Sequence, residues 1–456
     1  MTARPLTHLT ILRFWLPLAS TWLMMAIEGP YLAAFIARLA DPTVNLAAFG
    51  VAFAFAIIIE APVIMLLAAS TALVEDRQSY LAFRRFSYGL SAVLTLVQLA
   101  VLAPPVFDAL SRDLLALPPD VAQLTHGALA WLLPWTAAIG YRRFRQGLLI
   151  RRNLTRRVAY GTIVRLVAMS LTALLAYRFL PLAGAHVGAL ALSVGVVAEA
   201  VASRRMTAGL VEELQQSQLS AEGNSSLRLG TIVSFYLPLA LTSVLAMAVQ
   251  PMVTFFMGQS RYALESLAVL PVVHGLTFIF RAIGLSYLEV VVALLGDRRE
   301  QVTAIFTFGV CIGLGAVTGL GLIAFTPMAS VWFRDISGLT PELAAIALPP
   351  VRILTVFPGL SVLLAMQRGL LVHAHWTRPI TWSTLGEITV VGVMLTVGIH
   401  ELDLVGATAA AVAVLSGRMV GNLWLITPCL EVVRGANTVH APAAPPAAAA
   451  EPGARR

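Results

Sequence analysis

Apolar residues in this chain come in long unbroken runs, and polar residues gather between the runs instead of alternating with apolar ones. A run of about 20 apolar residues crosses a hydrocarbon core as one helix. Backbone inside lipid must satisfy its own hydrogen bonds, and barrel strands would show a two-residue alternation that is absent here. The pattern predicts twelve spans, at 12–37, 43–72, 80–107, 121–141, 158–180, 183–203, 231–257, 264–294, 302–332, 343–366, 380–399 and 404–430. The first is too long for the core of a cleaved leader, and no A-x-A-like site follows it, so it reads as a retained helix. The expected fold class is an all-α membrane protein of about twelve transmembrane helices.

The polar interruptions divide the chain. "EELQQSQLSAEGNSS" falls near the midpoint, and an Ala/Pro-rich stretch occupies the end. Either side of the midpoint the sequence repeats. Phe14 to Pro30, "FWLPLASTWLMMAIEGP", matches Phe235 to Pro251, "FYLPLALTSVLAMAVQP", at seven of seventeen positions, both prolines included, with a shift of 221. A shift of 222 aligns "RQGLLI" at 145–150 with "QRGLLV" at 367–372, and "VGA" recurs at 187–189 and 405–407. Two halves that start on the same side form a parallel repeat, the architecture of transporters in which two bundles move about a central cavity. The expected division is an N-terminal six-helix bundle at 1–211, a cytoplasmic linker at 212–230, a pseudo-symmetric C-terminal six-helix bundle at 231–432, and a disordered tail at 433–456.

Composition agrees: 58% of the 456 residues are hydrophobic and 12% charged, about half the charge of a soluble domain. All 31 basic residues are arginine. They cluster on alternate connections, most densely at Arg142, Arg143, Arg145, Arg151, Arg152, Arg156 and Arg157, between the fourth and fifth spans. The positive-inside rule then places both termini and these arginine-rich connections in the cytoplasm, and the expected location is the plasma (cytoplasmic) membrane. The basic balance therefore speaks of topology and anionic membrane lipids as partners, and no nucleic acid is expected, because no soluble basic domain is encoded. The two cysteines, Cys311 and Cys429, lie in apolar spans and form no metal or disulfide pattern. "GLGAVTGLG" at 313–321 is no phosphate loop, since neither a strand nor a Lys-Ser/Thr pair accompanies it. His373 and His375, beside Arg378, read as a solvated cluster at a helix end. No nucleophile–base pair appears, so no enzyme, cofactor or metal is expected.

Charges inside the spans carry what chemistry remains, because each costs several kcal/mol unless paired or wet. Glu60, in "FAFAIIIEAP", lands on Arg281 under the shift of 221, and Arg165 lands on Glu387 under 222. Glu199 lies one residue from the position matched by Arg418. The two halves thus hold opposite signs at equivalent or neighbouring depths. Arg165, Glu387, Glu199 and Arg418 read as structural ion pairs within each half. Glu60 and Arg281 read as a cavity pair, either a gate or opposite walls of one site. Glu28, before Gly29-Pro30, and Glu289, two turns after Arg281, are candidates for coupling or gating, as is His274. Arg352, in "LPPVRILTVFP", has no local partner, and a buried guanidinium without one calls for an anion.

"PVRILTVFP", "RGLLVHAHWTRPI" and "LVGATAAAVAVLSGRMVGN", with "SFYLPLAL", "QPMVTFF" and "RFWLPLA", resemble the progressive ankylosis (ANKH) family. That family is a branch of the multidrug and polysaccharide flippase superfamily, with a MATE-like fold of two six-helix bundles. The resemblance implies export of a small-molecule anionic substrate of the pyrophosphate, nucleotide (ATP) or citrate class. It carries Arg352 over as a substrate residue, whereas in span 7 "LAMAVQP" leaves only Gln250 where the family has basic and polar residues. Since each chain holds both halves, a monomer is expected. Two other functions compete: a proton- or sodium-coupled multidrug antiporter using Glu28 and Glu60, and a flippase of lipid-linked oligosaccharides.

Overall fold

A computed structural model describes residues 6–152, 154–216, 229–295, 301–374, 376 and 378–434. Arg228, Arg298, Arg299 and His375, most of the linker and the tail from 435 lie outside the described residues. Among the described residues the chain is helical throughout, with one isolated β-bridge between Arg261 and Val405. Eleven of its helical stretches are long and apolar enough to cross a membrane.

The first half comprises α1 (His8–Ile36), α2 (Pro42–Ile64), α3 (Leu66–Leu73), α4 (Arg77–Leu102), α5 (Pro104–Asp108), α6 (Pro119–Trp131), α7 (Leu133–Arg151), α8 (Thr155–Phe179), α9 (Gly184–Met206) and the short α10 (Ala208–Gln216). The second comprises α11 (Leu229–Met247), α12 (Val249–Gly258), α13 (Ala263–Leu285), α14 (Tyr287–Leu294), α15 (Val302–Phe325), α16 (Met328–Ser330), α17 (Pro341–Ile353), α18 (Phe357–His373), α19 (Arg378–Thr396) and α20 (Gly406–Val433). Local chemistry sets many ends. Pro42 and Pro341 open their helices in the first turn, where a missing N–H costs nothing. Asp76 and Ser79 form a reciprocal capping box at the start of α4.

The repeat reaches the backbone. Asp41 and Tyr262 (φ 48° and 53°), 221 residues apart, hold left-handed turns before α2 and α13. Ala116 and Gly338 (φ 50° and 72°) do the same at a shift of 222, each just after a π-helical turn, at Ala109–Leu114 and Val331–Ile336. The second span of each half breaks at the same point, at Met65 between α2 and α3 and at Ser286 between α13 and α14. Even a side-chain cap recurs: Asn45 accepts the Ala185 amide at 2.9 Å, and Ser266, its counterpart, accepts the Ala407 amide at 3.2 Å.

One expectation changes here. The expected fourth span corresponds to the pair α6–α7, interrupted at Leu132, and α7 continues to Arg151. Arg142, Arg143 and Arg145 therefore belong to helix α7, with Arg142 and Arg145 buried, and not to the connection after it. Their charges also explain why α7 does not count among the apolar spans.

The halves meet along α13, which packs against both α1 and α2. On one flank the seam is shut: a Cβ at Gly275 would lie 2.8 Å from the Pro30 ring. The matching step on the other flank brings Ala54 and Pro251 to the wall of a cavity of about 340 Å³, lined also by Val51, Phe55, Leu115 and Met252.

Candidate functional site: two buried charge clusters

The first cluster lies inside the N-terminal half. Glu199, fully buried on α9, accepts from Arg142 Nη1 at 2.7 Å and from Gln146 Nε2 at 3.1 Å. Arg165 on α8 sits 3.6 Å from Glu199 and donates to Glu28 on α1. Glu60 on α2 is 8% exposed and lies in the field of Arg143, Arg142 and Arg165, with its Oε2 unpartnered. Three carboxylates thus face three guanidiniums, a balance that buried ions require. Arg145 stands apart, donating to Thr207 and lying over the Tyr141 ring.

The second cluster, in the C-terminal half, is unbalanced. Glu387 on α19 accepts from Arg418 on α20, through Nε at 2.9 Å and Nη2 at 2.8 Å. Arg418 also lies over the Phe357 ring, its guanidinium carbon 5.1 Å from the centroid. Arg281 on α13 shares that ring at 4.6 Å and reaches Phe278 at 5.9 Å. It makes no ion pair among the described residues, and its Nε is buried without a partner. Arg368 on α18 donates to Thr384 at 3.0 Å, and its Nε is likewise unpartnered. Both arginines feel the Arg418–Glu387 pair. Three guanidiniums therefore share one carboxylate, a surplus of two positive charges. Aromatic faces offset part of the cost of holding a cation away from water, by about 2 kcal/mol each at best, but they leave its hydrogen-bond donors unused.

The other candidate residues fall as follows. No ion pair joins Glu60 to Arg281: each faces the charges of its own half. Arg352 does not point into a buried site. It is exposed, lies over Phe325 at 5.6 Å, and donates from Nε to the Ala324 carbonyl at 3.1 Å, capping the end of α15. A helix end offers free carbonyls, and a guanidinium satisfies them. Glu289 is exposed on α14, beyond the break at Ser286, and makes no ion pair with Arg281. Gln250 is half-buried, its carbonyl accepting from Thr254 at 3.1 Å, and His274 stacks on Phe278 at 5.9 Å. Glu28 is tied to Arg165. Sequence reading missed Arg142, Arg143, Arg368 and Phe357. The matched "RQGLLI" and "QRGLLV" segments were the available signal for Arg368, since they place charge on equivalent helices of both halves.

Solved structures share this arrangement of helices. An inward-facing multidrug resistance MATE family transporter of the MOP superfamily superposes with a TM-score of 0.68 at 15% identity, covering 91% of this chain and 99% of its own. An outward-facing MATE transporter gives 0.61 at 15% identity, over 92% and 96%. The chain has the MATE transporter fold. A third neighbour with that fold, a MOP superfamily transporter from Pyrococcus furiosus, has a binding pocket of reverse polarity, which suggests a different function for it. It matches with a TM-score of 0.65 at 14% identity, over 93% and 96%. No family model and no curated protein matches the sequence, so the ankylosis branch has no support from sequence comparison. Within the MATE fold of this chain, one buried cluster sits in each half, balanced in the first and positive in the second.

Proposed function

We propose that this protein is a secondary transporter, working by alternating access of its two halves, that exports small polyanions of the pyrophosphate, nucleotide or citrate class. The observation that carries this reading is the surplus of two guanidinium charges beside the Arg418–Glu387 pair, Arg281 over Phe357 and Arg368 further along α18. Guanidinium groups with free donors bind phosphate and carboxylate through paired, charge-assisted hydrogen bonds. The resemblance to the ankylosis family points in the same direction. The site is Arg281 and Arg418 over Phe357, with Arg368 further along α18, and Arg352 is no longer part of it. The protein is an integral membrane protein, and the plasma membrane with both termini cytoplasmic completes the proposal, as does a monomer divided near 211 and 231.

The unpartnered Oε2 of Glu60 favours a second reading, a cation- or proton-coupled multidrug antiporter. Proteoliposomes separate the two. Uptake of pyrophosphate, ATP and citrate is compared with that of a cationic dye, for the wild type and Arg281→Gln. Anion uptake that falls in Arg281→Gln supports the proposal; dye uptake without any anion uptake overturns it.

A further inference from the structure

Hydrogen bonds cross the seam at both ends, and they obey the repeat. On α1, Trp15 Nε1 donates to Ser286 Oγ at 2.8 Å, at the α13–α14 break. The residue matched to Trp15 under the shift of 221 is Tyr236 on α11, and its hydroxyl donates to the Pro62 carbonyl beside the α2–α3 break. Ser243, two turns further along α11, donates to the Ala61 carbonyl at 2.7 Å. The helix ends there, so these carbonyls have no amide of the next turn to accept from. At the far end Arg38 donates to the carbonyls of Asp335 and Ile336 at 2.6 and 2.7 Å. Its counterpart under the shift of 221, Gln259, donates to the Leu114 carbonyl at 3.4 Å, and Leu114 is the counterpart of Ile336 under 222.

We infer that these contacts are two latches, one at each face of the membrane, which release in alternation. Trp15 and Tyr236 hold the arginine-rich ends of the halves together, and Arg38 and Gln259 hold the opposite ends. Trp15, Tyr236 and Ser243 stand on the first span of their halves, Arg38 and Gln259 stand just past its end, and each acceptor belongs to the other half. Parting the halves at one face therefore breaks the bonds of that face and none of the other. A few such bonds per face suit a switch, since a neutral one is worth about 1 kcal/mol and a charged one about 1.5–3 kcal/mol, and each reforms readily. The carbonyl acceptors sit beside the α2–α3 break and in the π-helical turns, where backbone groups are free to be shared, and Ser286 accepts through its side chain at the α13–α14 break. The inference rests on the alternating-access part of the proposed function and on no particular substrate.

Pulsed electron–electron spectroscopy on spin-labelled protein in nanodiscs tests it, after Cys311 and Cys429 are replaced by serine. One label pair, at Gln78 and Thr303, spans the seam at the arginine-rich face. A second pair, at the matched positions Asp120 and Glu342, spans it at the far face; all four residues are exposed. Trp15→Phe and Tyr236→Phe each remove one donor while keeping a ring. Each should raise the long-distance population of the first pair by about two- to tenfold, the weight of one neutral hydrogen bond, without lengthening the second. Arg38→Ala with Gln259→Ala should do the reverse. Ser286→Ala should reproduce Trp15→Phe and add nothing to it. Unchanged distances in the Trp15→Phe/Tyr236→Phe double variant overturn the inference. So does simultaneous broadening at both faces, which would mean general loosening. Because distances are read without substrate, failure of the anion assays leaves this test intact.

Discussion

Arg418 grips a single oxygen of Glu387 through two nitrogens, and the same two helices of the first half hold Arg165 and Glu199 with the signs exchanged. Arg165 matches Glu387 under the repeat, and Glu199 stands next to the position matched by Arg418. What is common to the halves is an ion pair locking two neighbouring helices. What differs is the remaining company: Arg142 and Gln146 complete Glu199, whereas Arg281 and Arg368 add charge to the pair of the second half.

Removing one member of such a pair leaves a buried charge alone, which costs about 3–5 kcal/mol. Arg418→Ala should therefore lower the unfolding temperature of the detergent-solubilised protein strongly, because it strips Glu387 of its ion pair. Arg142→Ala should lower it less, because Arg165 and Gln146 still hold Glu199. Equal losses in a thermal-shift assay would mean that the two clusters are not electrostatically distinct.

Arg281 has no ion-pair partner among the described residues to abandon, only the faces of Phe357 and Phe278, so its loss should spare the fold. Arg281→Gln is expected to leave the unfolding temperature within a few degrees. The KM for anion uptake should rise roughly ten- to a hundredfold, the weight of one charged hydrogen bond. A strong fall in stability with unchanged KM would assign Arg281 to packing on Phe357 instead.

Exchanging Glu60 and Arg281 discriminates a pair from two separate groups. Each faces its own cluster, so Glu60→Arg/Arg281→Glu should place a fourth guanidinium beside Arg142, Arg143 and Arg165 and abolish transport. Rescue of either single variant by the double one, measured in vesicles, would restore the idea of a direct pair.

The capping box of α4 makes a pH-dependent contribution. Ser79 donates to Asp76 from its amide at 2.8 Å and its hydroxyl at 2.7 Å, and these bonds hold the Asp76 carboxyl below its usual range. A depressed value in the folded state means that the stabilisation is present above the ordinary aspartate pKa of about 3.9. It is lost as the pH falls through the lower folded value. Hydrogen exchange in the first turn of α4 should be several-fold faster in Asp76→Ala at neutral pH, for a cap worth about 1 kcal/mol. The difference should vanish in strong acid; a gap that persists there would rule out the carboxylate as its source.

Much of the fold is legible in the chain because lipid leaves few options: twenty apolar residues must be helix. The repeat is legible too, through Pro17 and Pro30 and their counterparts, since proline marks the same helical stress in each half. The site is less so. Arg142 and Arg143 lie among seven arginines that look like one connection, and only folding shows that Glu199, Glu28 and Glu60 draw the first of them inside. Arg352 misleads for the opposite reason. Its neighbours are apolar, yet the helix turns it outward to the end of α15, and one-dimensional patterns do not tell which face of a buried-looking helix meets another helix's carbonyls. Phe357 gives no signal, because an aromatic among apolar residues is ordinary until two guanidiniums rest on it.

The flank closed by Gly275 against Pro30 and the flank left open by Ala54 and Pro251 are the same step of the repeat taken twice. Two like halves thus meet tightly on one side and around a cavity on the other. A side chain larger than hydrogen at position 275 has to displace the Pro30 ring, while added bulk at position 54 has a cavity to enter, so two formally equivalent sites should differ in their tolerance to substitution.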